Sequence, residues 1–135
     1  MNILYVDDSV MICKAVKGLF EVSERIDFAT NGRECLDMYN KSISESNQYD
    51  IIFLDLDMPL MRGEQVLHSI RNYEDIMSCK NTIVIIVSAF NDCSKVLELF
   101  KIGCDYFLKK PISTKCINDA FDHIFKPKSE EMALV

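Results

Sequence analysis

The chain has 135 residues, a length typical of one domain, and 49% of them are apolar, which is enough for a packed core. Its net charge of −6 disfavours direct binding to nucleic acid, because phosphate contacts need clustered lysines and arginines. No run reaches the roughly 18 apolar residues of a membrane span, and six scattered cysteines without zinc-site spacing indicate reduced thiols, so we expect a cytoplasmic domain that does not enter a membrane.

Apolar runs alternate with amphipathic stretches along the chain. Five short apolar runs predict strands, at about 2–6, 26–29, 51–54, 83–87 and 106–108. Five stretches with apolar residues at helical spacing predict helices, at about 9–21, 32–43, 63–72, 92–102 and 113–125. Asn31 and Ser113 are the expected caps of the second and fifth helices. The polar stretch 73–82 is expected to be a surface loop, and residues 126–135 a short tail.

This alternation predicts an α/β fold of the flavodoxin-like type, with a doubly wound five-stranded parallel sheet and five helices. A strand order of 2-1-3-4-5 fits best, because the second strand is short and has no polar residue at its end, as suits an edge outside a site. Strands 1 and 3 then lie side by side where the strand order reverses, which is where sheets of this type bind ligands.

Four of the five predicted strands finish in polar residues. These are Asp7 and Asp8 after the first strand, Asp55 and then Asp57 after the third, Ser88 after the fourth and Lys110 after the fifth. Because the carboxyl ends of parallel strands face one crevice, we expect carboxylates, a hydroxyl and an ammonium group to converge on one small site.

The expected site holds more negative charge than a crevice stabilises alone, so either one carboxyl is protonated or a hard cation binds there. Oxygen ligands with room for water suit magnesium or manganese rather than zinc. The cation and Lys110 would neutralise an incoming phosphoryl group, and Ser88 would hold its other oxygens. Asp55 would be the nucleophile, because a carboxylate can accept a phosphoryl group as a mixed anhydride.

At these residues the sequence resembles the receiver domain of two-component response regulators, the CheY-like family. The matching segments are Val6-Asp7-Asp8-Ser9, the run from Leu54 to Gly63, Val87-Ser88-Ala89 and Lys110-Pro111. The resemblance implies a receiver domain over residues 1–125. It also implies that Asp55 takes a phosphoryl group from a phosphohistidine on a histidine kinase or a histidine phosphotransfer protein, and that a downstream protein partner reads the result.

The resemblance further implies a role for each polar residue. Asp8 and Asp55 should bind Mg²⁺ or Mn²⁺ directly, with the backbone carbonyl of Asp57, and Asp7 partly through a metal-bound water. Ser88 and Lys110 should contact the phosphoryl group, and Ser88 and Phe107 should form the switch. Asp57 and Phe90 stand where the family tunes the lifetime of the phosphoryl group, and the Lys110–Pro111 peptide is expected to be cis. No enzymatic activity is implied beyond self-catalysed phosphotransfer and autodephosphorylation.

Four alternatives stay open on the residues alone. Asp55-Leu56-Asp57 also resembles the nucleophile motif of magnesium-dependent haloacid-dehalogenase-like phosphatases, although that class needs Thr or Val where Pro59 stands. A degenerate receiver would act as an unphosphorylated scaffold, against which the intact Asp, Ser and Lys set argues. The domain is either a stand-alone regulator or part of a larger hybrid kinase.

Met11 is either a docking contact for a kinase or an ordinary surface residue, and His68 and His123 are expected on the surface.

Overall fold

The computed structural model describes residues 1–20, 25–58, 61–89 and 93–125. The described strands are β1 (Asn2–Val6), β2 (Arg25–Ala29), β3 (Ile51–Asp55), β4 (Ile83–Ser88) and β5 (Tyr106–Lys109). The described helices are α1 (Val10–Lys17), α2 (Gly32–Ser44), α3 (Gly63–Met77), α4 (Cys93–Ile102) and α5 (Thr114–Phe125). All strand pairs are parallel, in the order β2-β1-β3-β4-β5, which confirms the predicted fold and topology. The predicted tail 126–135, Pro59 and Phe90 lie outside the described residues.

The sheet is the centre of the core and has helices on both faces. β3 is buried along its whole length, which explains why its sequence is continuously apolar rather than alternating. Successive strand residues point to opposite faces. On one face Leu4 and Ile52 pack with α2, α3 and α4, and on the other Ile3 and Ile51 pack with α1 and α5. None of the described helices has the length and apolarity needed to cross a membrane.

Side-chain caps begin two helices where the sequence predicts them. The Asn31 side chain accepts a hydrogen bond from the Glu34 N–H at 2.8 Å, and α2 starts at the next residue. The Ser113 hydroxyl accepts one from the Cys116 N–H at 3.2 Å at the start of α5. The expected caps of both helices are therefore confirmed.

The predicted surface loop at 73–82 is wrong over its first half, because α3 continues to Met77. Glu74 lies within this stretch and is only 2% exposed. Its carboxylate accepts hydrogen bonds from the Tyr39 hydroxyl at 2.7 Å and the Thr82 N–H at 2.6 Å. Most of this stretch is exposed, but Glu74 and Thr82 are buried and find their partners inside the fold.

The apolar stripe of α1 is only partly covered by the rest of the domain. Val16 is buried, as the spacing predicts, but Ile12 is 39% exposed. Val10 and Met11 are exposed as well, at 57% and 82%. The helix also ends at Lys17, earlier than predicted. An apolar surface therefore remains at the end of α1 that lies next to the carboxyl edge of the sheet.

Candidate phosphoryl-acceptor site

The loops that follow β1, β3 and β5 are tied by backbone hydrogen bonds to neighbouring strands. The Asp7 N–H donates to the Ala29 carbonyl at 3.0 Å, and the Leu56 N–H donates to the Val87 carbonyl at 3.1 Å. The Lys110 N–H donates to the Ser88 carbonyl at 2.8 Å. Because each polar side chain starts from a fixed strand end, the parallel register brings the predicted residues to one edge of the sheet. The start of α3 also packs closely there: a Cβ added to Gly63 would lie 3.1 Å from the Leu56 Cα.

Three carboxylates form the centre of this site. One oxygen each from Asp7, Asp8 and Asp55 lie within 4.8 Å of one another, close enough to bind one metal ion. Asp7 and Asp55 are buried, whereas Asp8 is exposed. Within the described ranges, the buried Asp7 Oδ2 has no hydrogen-bond partner. A set of hard oxygen ligands, one of them buried without a hydrogen bond, fits magnesium.

Lys110 supplies a positive charge to these acids. Its Nζ lies 3.1 Å from Asp55 Oδ2 and 3.4 Å from Asp7 Oδ2. The Lys110–Pro111 peptide is cis, as predicted. Partial burial works to lower the pKa of Lys110, but the hydrogen bond and charge of Asp55, with a contribution from Asp7, outweigh it and raise that pKa. Lys110 is therefore held in its charged form beside Asp55.

Asp55 has an unusual electrostatic position for a carboxylate next to a lysine. Burial raises its pKa above the ordinary value, more than the Asp57 N–H and Lys110 lower it, and the charge of Asp7 raises it further. The Asp57 N–H donates to Asp55 Oδ1 at 3.0 Å, while Lys110 contacts Oδ2. Both oxygens are thus oriented, and an oriented carboxylate can act as a nucleophile.

Ser88 and Phe107 lie on the side of the site that faces α4. Ser88 is 2% exposed, and its hydroxyl donates to Asp57 Oδ2 at 3.3 Å. A cavity of about 230 Å³ adjoins this contact, and its lining includes Ser88, Phe107, Val96 and Leu99. Phe107 is half-buried and pairs in register with Ile86, two residues before Ser88. Space therefore exists next to Ser88 into which a neighbouring side chain can move.

The structure brings together Asp7, Asp8, Asp55, Lys110 and Ser88, as the sequence predicts. The Asp57 carboxylate is different, because it is not part of the three-acid group and instead contacts Ser88. Sequence reasoning missed that contact, whose only signal is the position of Asp57 two residues after Asp55. His68 and His123 are on the surface, as expected.

Known proteins with similar sequences belong to the same family of signalling domains. The sequence profile of the response regulator receiver domain family matches residues 3–122. Hybrid signal transduction histidine kinase A of Dictyostelium discoideum is 34% identical over 118 residues, which are 87% of this chain and 5% of the kinase. The transcriptional regulatory protein CutR of Streptomyces coelicolor is 30% identical over 114 residues, 84% of this chain and 48% of CutR.

Solved structures agree with the sequence relatives. The crystal structure of the CheX–CheY–BeF3–Mg²⁺ complex from Borrelia burgdorferi contains a chain that superposes with a TM-score of 0.82 and 29% identity. The match covers 94% of this chain and 90% of that one. No relative or structure among these supports the haloacid-dehalogenase alternative. This chain spans less than half the length of the kinase and of CutR, so the activities of those whole proteins are not implied by the match.

Proposed function

We propose Asp55 as the phosphoacceptor, because this chain belongs to the response regulator receiver domain family and carries a buried, oriented carboxylate at the centre of its site. The chain is accordingly a phosphoryl-accepting signalling domain rather than a member of an enzyme family. The observation that carries the assignment is the pair of contacts on Asp55: the Asp57 N–H holds Oδ1, and Lys110 Nζ lies 3.1 Å from Oδ2.

The chain's own residues would divide the phosphotransfer between them. One Asp55 oxygen forms a bond to phosphorus as the bond from phosphorus to the donor's histidine nitrogen breaks, and the electron pair of that bond stays on the imidazole. Lys110 compensates the charge of the transferred group, and Ser88 donates a hydrogen bond to one of its oxygens. Such a reaction needs positioning and charge compensation more than covalent help. Autodephosphorylation by water at the same phosphorus is part of this proposal.

Asp7, Asp8 and Asp55, with the backbone carbonyl of Asp57, are the proposed ligands of Mg²⁺ or Mn²⁺. The support is the close grouping of three carboxylate oxygens and the Asp7 Oδ2 atom without a hydrogen-bond partner in the described structure. When bound, the divalent cation supplies the positive charge that lets a dianionic phosphoryl group approach several carboxylates.

The exposed apolar end of α1 is the proposed docking surface for the phosphodonor. A groove of about 570 Å³ runs beside it, lined by residues that include Ile12, Leu19, Pro111 and Ile112. Lys110 lines this groove and also contacts Asp55, so a partner seated there is next to the acceptor. A helix of a histidine kinase or phosphotransfer protein, with apolar residues beside its phosphohistidine, fits both features. Met11, 82% exposed, would then be a docking contact.

The wider setting of the domain is also a proposal. We infer a receiver domain over residues 1–125 in the cytoplasm, where the six cysteines, all free thiols, stay reduced. It works either alone or as part of a hybrid kinase, and it passes its signal to a protein partner through the face of α4, β5 and α5 around Phe107. A state-dependent change at this face would alter the partner's affinity.

Phosphorylation by acetyl phosphate tests the assignment. With magnesium present, we expect mass spectrometry to detect one added phosphoryl group on the wild-type chain and none on Asp55→Asn, since the amide is not a nucleophile. Asp75→Asn is the matched control, because Asp75 is an exposed aspartate on α3 away from the site, and it should be labelled normally. Labelling of Asp55→Asn, or labelling that survives a chelator, would refute the assignment.

A further inference from the structure

The side chain of Asp57 is a carboxylate that the proposed chemistry leaves without a task. Its backbone N–H orients Asp55, and its backbone carbonyl is a proposed metal ligand, but its carboxylate oxygens are outside the group formed by Asp7, Asp8 and Asp55. Lys110 contacts Asp7 and Asp55 instead, and in the described part of the chain Asp57 forms no ion pair. A negative charge placed beside an incoming phosphoryl group needs a reason.

The geometry directs this carboxylate to Ser88. The Ser88 hydroxyl donates to Asp57 Oδ2 at 3.3 Å. The contact is held from both sides, because Leu56 N–H is bonded to the Val87 carbonyl at 3.1 Å and Asp55 pairs in register with Val87. These contacts bring the loop after β3, which carries Asp57, beside the end of β4 at Ser88.

Two acceptors compete for one proton at this place. A serine hydroxyl has a single hydrogen to donate, so Ser88 cannot donate to Asp57 and to a phosphoryl oxygen at the same time. Ser88 is buried, and the adjoining cavity of about 230 Å³ leaves room for its side chain to turn. Breaking the contact with Asp57 is thus a step that the phosphorylated state requires.

We propose that Asp57 is a positioning residue that holds the Ser88 hydroxyl away from the phosphoryl position in the resting domain. The proposal rests on the proposed function of Asp55. Only molecules in which Ser88 has left Asp57 are competent to bind a phosphoryl group fully, and the apparent affinity for such a group is reduced in proportion to that fraction. The Asp57 carboxylate thereby sets how readily the domain responds.

Beryllofluoride, a mimic of the phosphoryl group, tests this with a double-mutant cycle. The apparent affinity is measured by NMR titration at saturating magnesium for the wild type, Asp57→Ala, Ser88→Ala and the double variant. The magnesium affinity of each is measured separately, so that an effect on the metal is recognised. We expect Asp57→Ala to tighten beryllofluoride binding about two- to tenfold, the range that one hydrogen bond provides. In the Ser88→Ala background the same change should tighten binding clearly less, because only the charge of Asp57 then opposes the anionic mimic.

Asp57→Asn is the matched variant, because it removes the charge and keeps an acceptor oxygen, and its tightening should be smaller than that of Asp57→Ala. Equal tightening in the presence and absence of the Ser88 hydroxyl would overturn the proposal, because Asp57 would then act by charge alone. No tightening in either background would overturn it too. A wild-type chain that binds no beryllofluoride and takes up no phosphoryl group would refute the function of Asp55 itself, and this inference with it.

Discussion

At the amino-terminal edge of the sheet Glu74 is 2% exposed, as deeply buried as Asp55 at 2% and Asp7 at 1% at the carboxyl edge. The Glu74 carboxylate receives hydrogen bonds from Arg71, Tyr39 and Thr82. Asp55 and Asp7 share one lysine, and within the described structure one Asp7 oxygen lacks a hydrogen bond. Burial is equal at the two edges, but both Glu74 oxygens accept hydrogen bonds, whereas among the described residues the carboxyl edge leaves Asp7 Oδ2 without one.

Arg71 completes the satisfied edge. Its guanidinium makes five hydrogen bonds, to Glu74, the Thr82 carbonyl, the Gly103 carbonyl twice and Asp105. These equal the number of N–H groups that an arginine has. The amino-terminal edge thus joins α3 to the starts of β4 and β5. The comparison of the two edges indicates that a buried acid with protein partners on both oxygens holds the fold together, whereas the incompletely partnered acids lie at the proposed site for a cation and a phosphoryl group.

The largest expected effect comes from removing Arg71. Arg71→Ala leaves the buried Glu74 carboxylate without its cation, so we expect a loss of about 3–5 kcal/mol in the free energy of unfolding, measured with urea. Arg33→Ala is the control, because its ion pair with Asp37 on α2 is exposed, and it should change stability by less than about 1 kcal/mol. Similar losses of unfolding free energy in the two variants would show that the buried ion pair of Arg71 contributes no more than the exposed pair of Arg33.

Magnesium should stabilise the domain through the carboxyl edge alone. At a concentration 100 times its dissociation constant it should raise the free energy of unfolding by about 2.7 kcal/mol. Asp8→Asn should reduce this gain strongly, because it removes one of the three ligand oxygens, while Asp75→Asn should retain it. The measurement is urea unfolding with magnesium and with a chelator. If magnesium stabilises Asp8→Asn as much as the wild type, the metal does not bind at this edge.

The stability of the metal-free domain should depend on pH through Asp55. Burial raises the pKa of Asp55 above its ordinary value of 3.8, despite the opposing Asp57 N–H and Lys110. The folded state therefore binds this proton more tightly than the unfolded chain does, and stability falls as the pH rises from 3.8 through the raised pKa. Asp55→Asn should flatten the stability curve in that window. If stability falls with pH in Asp55→Asn as steeply as in the wild type, ionisation of Asp55 does not destabilise the folded domain.

The smallest expected effect on stability is that of Ser88→Ala, because it opens no large cavity. We expect a change well below the ~2–5 kcal/mol of a core Leu→Ala substitution, for which Leu67→Ala is the internal reference. Its effect should instead appear in NMR shifts on adding beryllofluoride. Wild-type shifts should change around Phe107 and the start of α4, and fade towards Gly103, where Arg71 holds the chain. In Ser88→Ala the shift change near Phe107 should be smaller. An unchanged shift response would show that Ser88 does not take part in the switch.

The sheet and the site at its carboxyl edge could be read from the sequence. Continuous apolar runs that alternate with amphipathic helices favour strands buried on both faces of a parallel sheet, and a polar residue that ends such a run is expected at the edge of that sheet. For the same reason Asp7, Asp8, Asp55, Ser88 and Lys110 could be predicted as neighbours from their places in the chain. The caps of α2 and α5 are also local features that short segments specify, whereas the cis peptide before Pro111 was expected from the family resemblance.

Only the tertiary structure decided where each polar group finds its partner. The local sequence around Glu74 indicates a loop, because its hydrogen-bond partners Tyr39 and Thr82 lie 35 and 8 residues away and cannot be recognised from the sequence. The contact between Asp57 and Ser88 spans 31 residues and depends on the register of β3 and β4. The exposure of Ile12 was likewise hidden, since an apolar stripe is visible in a sequence but the surface that covers it is not. Local pattern encodes which side chains prefer burial, whereas the satisfaction of charges and hydrogen bonds depends on atoms that meet only after folding.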